Sequence, residues 1–219
     1  MGQTEKDFSL REKKYAKTKM ALANAFIGRL QTTRFTDISI KEVCESVEVS
    51  EGTFFNYFPQ KIDVALYYKQ IVGLKISYQV KQNAGKMSAK KLIQFTFDII
   101  AKEVDQPYLF YEFISLFTAE KKRPGEVELA PAEKFYANPD YEGIEDIPVQ
   151  SLEDTFFSIL KEAKRNGELK SDVKLEEAVL ALMAILVGVP LAIDIADFGR
   201  LKEYYRAQVS LVWTALEAQ

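Results

Sequence analysis

The sequence predicts an all-α protein, on three observations. Nearly every segment with a clear apolar period repeats at helical spacing, and none alternates convincingly as a strand would. Helix starts and stops are written into the chain as Ser caps, an Asn-Gly pair and well-placed prolines. The 219 residues, 47% apolar and 28% charged, are those of an ordinary globular chain able to bury a sizeable core.

Taken in order, Met20, Ala23, Phe26, Ile27 and Leu30 form the apolar stripe of a first helix over about 13–32. Ser39 followed by Glu42 reads as a capping box, with Ile38 and Val43 as its hydrophobic staple. Ile40, Val43, Cys44 and Val47 are then the buried face of a short second helix. Ser50 caps a third helix, which ends near Phe58 because Pro59 disfavours helical geometry just before it. Residues 39–58 therefore read as two short helices about a tight turn at 47–49, the layout of a helix-turn-helix. A fourth helix covers about 61–81. Leu92, Ile93, Phe95, Phe97, Ile99, Ile100 and Val104 give the next helix two apolar rows, and residues 108–117 are nearly all apolar. Periodicity then fails over 121–150, which holds four of the seven prolines; a connection this long is usually functional or mobile. Leu152, Phe156, Ile159 and Ala163 restore the helical stripe up to Asn166-Gly167. Two apolar helices follow, over about 175–195 and 201–216.

The composition also excludes chemistry. With no histidine, the chain has no Ser-His-Asp or Cys-His triad and no His-ligated metal. The single Cys44 forbids an intrachain disulfide, fits a reducing cytoplasm, and lies on an apolar stripe as an inert packed thiol would. No catalytic residues, cofactor or metal are expected, although carboxylates such as Asp98, Glu103 and Glu112 keep an enzyme formally open. No apolar run opens the chain as a secretory signal would. The run 178–193 contains Pro190 and falls short of the roughly 20 residues of a membrane span, so it reads as a helix buried between subunits.

Charge is polarised. Residues 11–41 carry eight basic and two acidic side chains, a net of +6, so the rest sums to −9 against a total of −3. One end of the molecule suits phosphate and the other repels it. Lys13, Lys14 and Lys17 either reach phosphate or solvate a helix face.

The run SIKEVCESVEVSEGTFFNYFPQK, residues 39–61, resembles the DNA-binding domain of the TetR family of bacterial transcription regulators. The resemblance covers about fifty residues closely and the rest in layout. It implies a three-helix helix-turn-helix domain over 1–60 and a helical ligand-binding and dimerisation domain over 61–219. The function it implies is a cytoplasmic, homodimeric repressor on a palindromic double-stranded operator, released by a small apolar or aromatic effector. Carried over residue by residue, Ser50, Thr53, Asn56, Tyr57 and Lys61 contact phosphate and Gly52 admits close backbone approach. Phe55 presses on a thymine methyl, Glu51 touches a base edge, and Ser39 belongs to the same DNA-facing set. Phe54 and Phe58 read as core. Phe97, Phe110, Tyr111, Phe113, Phe117 and Phe156 line the effector region, with Asp98, Tyr111 or Glu112 orienting a polar end. Three positions depart from the family's pattern: Glu48 and Arg34, where Gly is usual, and Glu51, where a base is common. A sensor or carrier of the same fold with weak or lost DNA binding therefore stays open beside the repressor.

Overall fold

The computed structural model describes residues 8–104, 106–119 and 128–218, without the side chains of 117–119. Its regular structure is helical: α1 (Leu10–Leu30), α2 (Ile40–Ser46), α3 (Glu51–Tyr57), α4 (Lys61–Asn83), α5 (Ala89–Glu103), α6 (Pro107–Ala119), α7 (Pro131–Ala137), α8 (Leu152–Arg165), α9 (Leu175–Ala192) and α10 (Leu201–Leu216). The chain forms two compact units. One holds the residues up to Lys75 together with 108–149; the other holds 76–107 and everything from 150 on.

In the first unit α1 starts earlier than its apolar stripe suggests. Ser9 accepts from the Glu12 N–H at 3.3 Å while the Glu12 carboxylate accepts from the Ser9 N–H at 2.9 Å, a complete capping box. The core behind α2 and α3 is aromatic. Phe54 and Phe58 are fully buried, their rings 5.7 Å apart, and Phe58 meets Tyr67 of α4 edge-on at 5.5 Å. Both phenylalanines are thus core, as the stripe predicts. Cys44 is buried as well, and burial pushes its thiol up, with Glu51 and Glu45 adding to the effect.

Residues 128–149, within the stretch where periodicity fails, carry a short helix and buried side chains of their own. Pro131 opens α7, whose Glu133 carboxylate caps it by accepting the Ala130 N–H at 2.9 Å. Leu129, Ala132, Ile144 and Ile147 are buried, and Gly143 turns the chain with a φ of 74°. Ala132 packs with Phe8 and Ala16, and Phe135 and Tyr136 pack on that cluster, so α7 lies along α1. The segment lacks a long stripe because seven helical residues bury only two positions. Lys121 and Pro124 lie outside the described residues.

In the second unit α5, α8, α9 and α10 pack together around Phe97, which stacks on Phe156 at 5.3 Å and meets Tyr205 at 4.8 Å. Pro190, inside α9, has no N–H to give the Leu186 carbonyl. The buried Tyr205 hydroxyl donates to that carbonyl instead, at 2.8 Å. A short antiparallel bridge of Leu169 with Glu217 ties the end of α10 to the α8–α9 turn.

Each unit also buries a tyrosine whose ionisation it opposes. Tyr67 and Tyr205 are inaccessible, and burial raises both hydroxyls above the ordinary range, Tyr67 with further help from the Glu133 carboxylate. Unfolded tyrosines lose their protons above about pH 10 while these two keep theirs. Stability is therefore intact below that pH and falls as pH rises beyond it. The expected loss is about 1.4 kcal/mol per tyrosine per pH unit. Urea midpoints measured across that range should show it, and Tyr205→Phe should flatten the slope.

Candidate nucleic-acid interface

The helix-turn-helix begins with local capping. Ser39 accepts the Glu42 N–H at 3.3 Å to start α2. Ser50 accepts the Thr53 N–H at 3.1 Å, and its hydroxyl lies 2.9 Å from that of Thr53. With Phe54 and Phe58 anchored inside, the opposite face of α3 points outward. Ser50, Glu51, Gly52, Phe55 and Asn56 are exposed there, and Thr53 and Tyr57 are partly so. Phe55 meets the edge of the buried Phe54 ring at 5.3 Å and yet leaves 47% of its surface exposed.

Gly52 also lacks an internal purpose. A Cβ placed on it would meet only the Ser50 hydroxyl, at 3.8 Å, an ordinary contact. Glycine inside a helix costs roughly 0.5–1 kcal/mol relative to Ala, and no close packing among the described residues offsets that cost.

Lys61, expected on phosphate, has more to do. Its Nζ donates to the Ile38 carbonyl at 2.8 Å and the Thr36 carbonyl at 3.2 Å, and sits 5.0 Å from the centre of the Phe35 ring. Burial lowers its pKa, with Asp37 opposing. Two of its three protons pin the α1–α2 loop, leaving one for an outside acceptor. The Phe35 N–H of the same loop donates to Glu112 of α6 at 2.9 Å, so Glu112 is a structural acceptor.

The basic segment divides in two. Arg11, Lys14 and Lys17 are exposed on α1, and Lys17 reaches over the Tyr136 ring at 4.8 Å. Lys19 is not on that surface. It is buried in an ion pair with Glu133 at 2.7 Å, surrounded by Tyr67, Tyr15 and Phe58 at 4.5, 5.6 and 5.7 Å. Arg29 donates to the Glu42 carbonyl at 3.0 Å and so braces α2 against α1. The sequence reading overlooked Tyr15, which is 42% exposed and packs on Tyr57 of α3 at 4.7 Å. Its only signal was an aromatic ring among lysines, off the apolar stripe.

The six candidate effector residues fall in both units. Phe97 and Phe156 are fully buried against each other in the second unit. Phe110, Tyr111 and Phe113 lie on α6 in the first, where Phe113 stacks on Tyr68 at 5.9 Å and Phe110 meets Tyr111 edge-on. The Phe117 side chain lies outside the described residues. Asp98 is engaged by Arg206 at 2.9 Å and Lys202 at 3.3 Å. Among the described residues no group of three carboxylates or thiols gathers as a metal ion requires.

No protein-family model and no curated protein matches the sequence. Solved structures do resemble it. One, from work on control of antibiotic production by a bacterial hormone, superposes with a TM-score of 0.67 at 15% identity, over 92% of this chain and 98% of that one. The Thermus thermophilus FadR, a TetR-family repressor in complex with lauroyl-CoA, gives 0.59 at 20% identity over 92% and 96%. A TetR transcription regulator from Haloarcula marismortui gives 0.64 at 14% identity over 92% and 99%. The chain has the fold of the TetR-family transcription regulators.

On a TetR fold the three departures take definite shape. Glu48 adopts the left-handed conformation usual for Gly, with a φ of 59°, while the Val49 N–H closes the turn onto the Cys44 carbonyl at 3.0 Å. A non-glycine residue there costs about 1–2 kcal/mol, so the turn is kept at the expense of strain. Arg34 precedes a short 3-10 turn, Phe35–Asp37, that sets Phe35 edge-on to Phe26 at 5.8 Å. Glu51 is the first residue of α3 and is exposed, where a carboxylate suits the helix dipole.

The TetR fold here also leaves one apolar face uncovered. α9 has a mean hydropathy of 2.0 over 18 residues, with 17% of that span buried. By length and composition it meets the minimum for a membrane span, two residues longer than the apolar run suggested. Its inner face nevertheless packs on α8 and α10. The outer stripe is Leu180, Ala184, Val187 and Leu191, beside Ala207, Leu211 and Ala215 of α10; Leu180 is 69% and Leu211 66% exposed.

Proposed function

We propose that the protein is a homodimeric transcription repressor that binds palindromic duplex DNA through α3 and is released by a small apolar or aromatic effector. The observation that carries this reading is the exposed face of α3. Ser50, Thr53, Asn56, Tyr57 and the remaining Lys61 proton supply phosphate donors around Glu51 and Phe55, which reach base edges, and Ser39 caps the supporting helix. Gly52 fits the same reading, since a backbone with nothing of its own against it can be approached from outside. Residues 1–60 act as the DNA-binding part, with the basic face of α1 adding long-range attraction to phosphate. Residues 61–219 receive the effector and form the dimer, through the outer stripe of α9 and α10. The aromatic rings of α6 support an apolar effector, as does lauroyl-CoA in the neighbour of the same fold.

The deciding experiment measures binding to duplexes taken from upstream of the protein's own gene across a salt series. Affinity that falls steeply with salt and depends on sequence supports the repressor. Binding to no duplex at any salt would assign the chain to the sensor or carrier class that Glu48 and Glu51 leave open. Gly52→Ala separates folding from function at one position. It should stabilise the free protein by about 0.5–1 kcal/mol in thermal melts while weakening operator binding about tenfold or more, roughly 1.4 kcal/mol.

A further inference from the structure

Glu133 lies on α7, some eighty residues beyond α3 in sequence, yet it stands at the head of a chain of contacts that ends on α3. Its carboxylate is held at both oxygens, one by the Ala130 N–H at 2.9 Å and the other by Lys19 at 2.7 Å. Lys19 is thereby fixed 5.6 Å from the centre of the Tyr15 ring, and Tyr15 packs on Tyr57 at 4.7 Å with the rings 50° apart. Tyr57 is the last residue of α3, immediately before the extended Phe58, so the helix itself confines its side chain least. Tyr15 meanwhile keeps a large ring 42% exposed beside it, a position that core packing alone does not require.

We infer that Glu133 and Tyr15 are positioning residues for the Tyr57 hydroxyl: α7, through Lys19 and Tyr15, sets where α3 presents one of its phosphate donors. This rests on the DNA-binding reading of α3. It gives the 128–149 segment a part in recognition that it performs without touching DNA. Hydroxyl donors of this kind strengthen binding to all sequences alike, so α7 tunes overall affinity and leaves base preference to Phe55 and Glu51.

The test uses the full chain on a bound operator, with Tyr57→Phe, Tyr15→Leu and Glu133→Gln singly and in pairs. Tyr15→Leu and Glu133→Gln should each weaken binding about 3- to 10-fold, the worth of one hydrogen bond, on every operator variant. Neither should weaken it further once Tyr57 is Phe. Losses that add in the double variants would show a purely structural role and overturn the inference. Should Glu133→Gln fail to fold, the half-exposed Tyr15→Leu carries the same comparison. A second readout needs no DNA: with fluorotyrosine incorporated, the Tyr57 resonance is identified by its loss in Tyr57→Phe. It should move in Tyr15→Leu, and an unmoved resonance would overturn the inference. A wild-type protein that binds no duplex would instead remove the DNA-binding reading, and the resonance would still decide whether Tyr15 positions Tyr57.

Discussion

Ala184→Glu is expected to convert the protein to monomers and with them to abolish operator binding. Ala184 sits in the middle of the stripe Leu180, Ala184, Val187 and Leu191, exposed on a helix whose mean hydropathy is 2.0. A soluble monomer rarely leaves so continuous an apolar strip in water. In a two-fold dimer the stripe meets its own copy, so one substitution places two carboxylates in the same dry contact. Burying each unpaired costs several kcal/mol, which weakens dimerisation by more than about a hundredfold at 1.4 kcal/mol per tenfold. Operator binding follows because two half-sites one helical turn apart must be gripped together. Sedimentation at micromolar concentration reads the first effect and anisotropy on the operator reads the second. A wild-type protein that sediments as a monomer would remove the basis for both. Ser171→Glu, exposed in the α8–α9 turn and off the stripe, is the control and should do neither.

Breaking the Lys19–Glu133 pair from one side is the second large effect. The two side chains are 8% and 4% exposed, so neither partner can turn to water when the other is lost. Lys19→Met should destabilise the first unit by about 3–5 kcal/mol, because it strands a buried carboxylate. Glu133→Leu alone should cost about as much, by stranding the ammonium among Tyr15, Phe58 and Tyr67. The double variant Lys19→Met with Glu133→Leu should recover most of the loss, since an apolar pair of similar volume has no desolvation to offset. Denaturant unfolding of the three variants measures this as a double-mutant cycle. A loss in the double variant equal to the sum of the single losses would mean that the two side chains act independently, and that the segment is held by its apolar contacts, with Phe8, Phe135 and Ala132, and not by the ion pair.

What the sequence by itself determined were the features governed by neighbouring residues. Ser39 and Ser50 cap α2 and α3 because a side-chain oxygen two or three residues from an orphan N–H needs no tertiary partner. Pro59 stops α3, and Phe54 and Phe58 face inward, for equally local reasons of backbone geometry and helical period. The capping box at Ser9 and Glu12 is equally local, although it lies eight residues and more before the apolar stripe that starts at Met20. Tertiary structure alone decided which charges are solvated and which are buried. Lys14 and Lys19 belong to one basic run, and only the return of residues 128–149 along α1 puts Glu133 against the second of them, while Tyr15 of α1, Phe58 after α3 and Tyr67 of α4 close around it. It alone gave Lys61 two carbonyls to hold, and it alone set Tyr15 against Tyr57. The effector residues were least legible, because an aromatic ring at helical spacing carries the same signal whether it fills a core, as Phe97 does against Phe156 and Tyr205, or lines a space. Period and capping depend on neighbours three or four residues away, whereas burial, ion pairing and ring contacts depend on segments a hundred residues apart meeting in space, for which one sequence holds no local term.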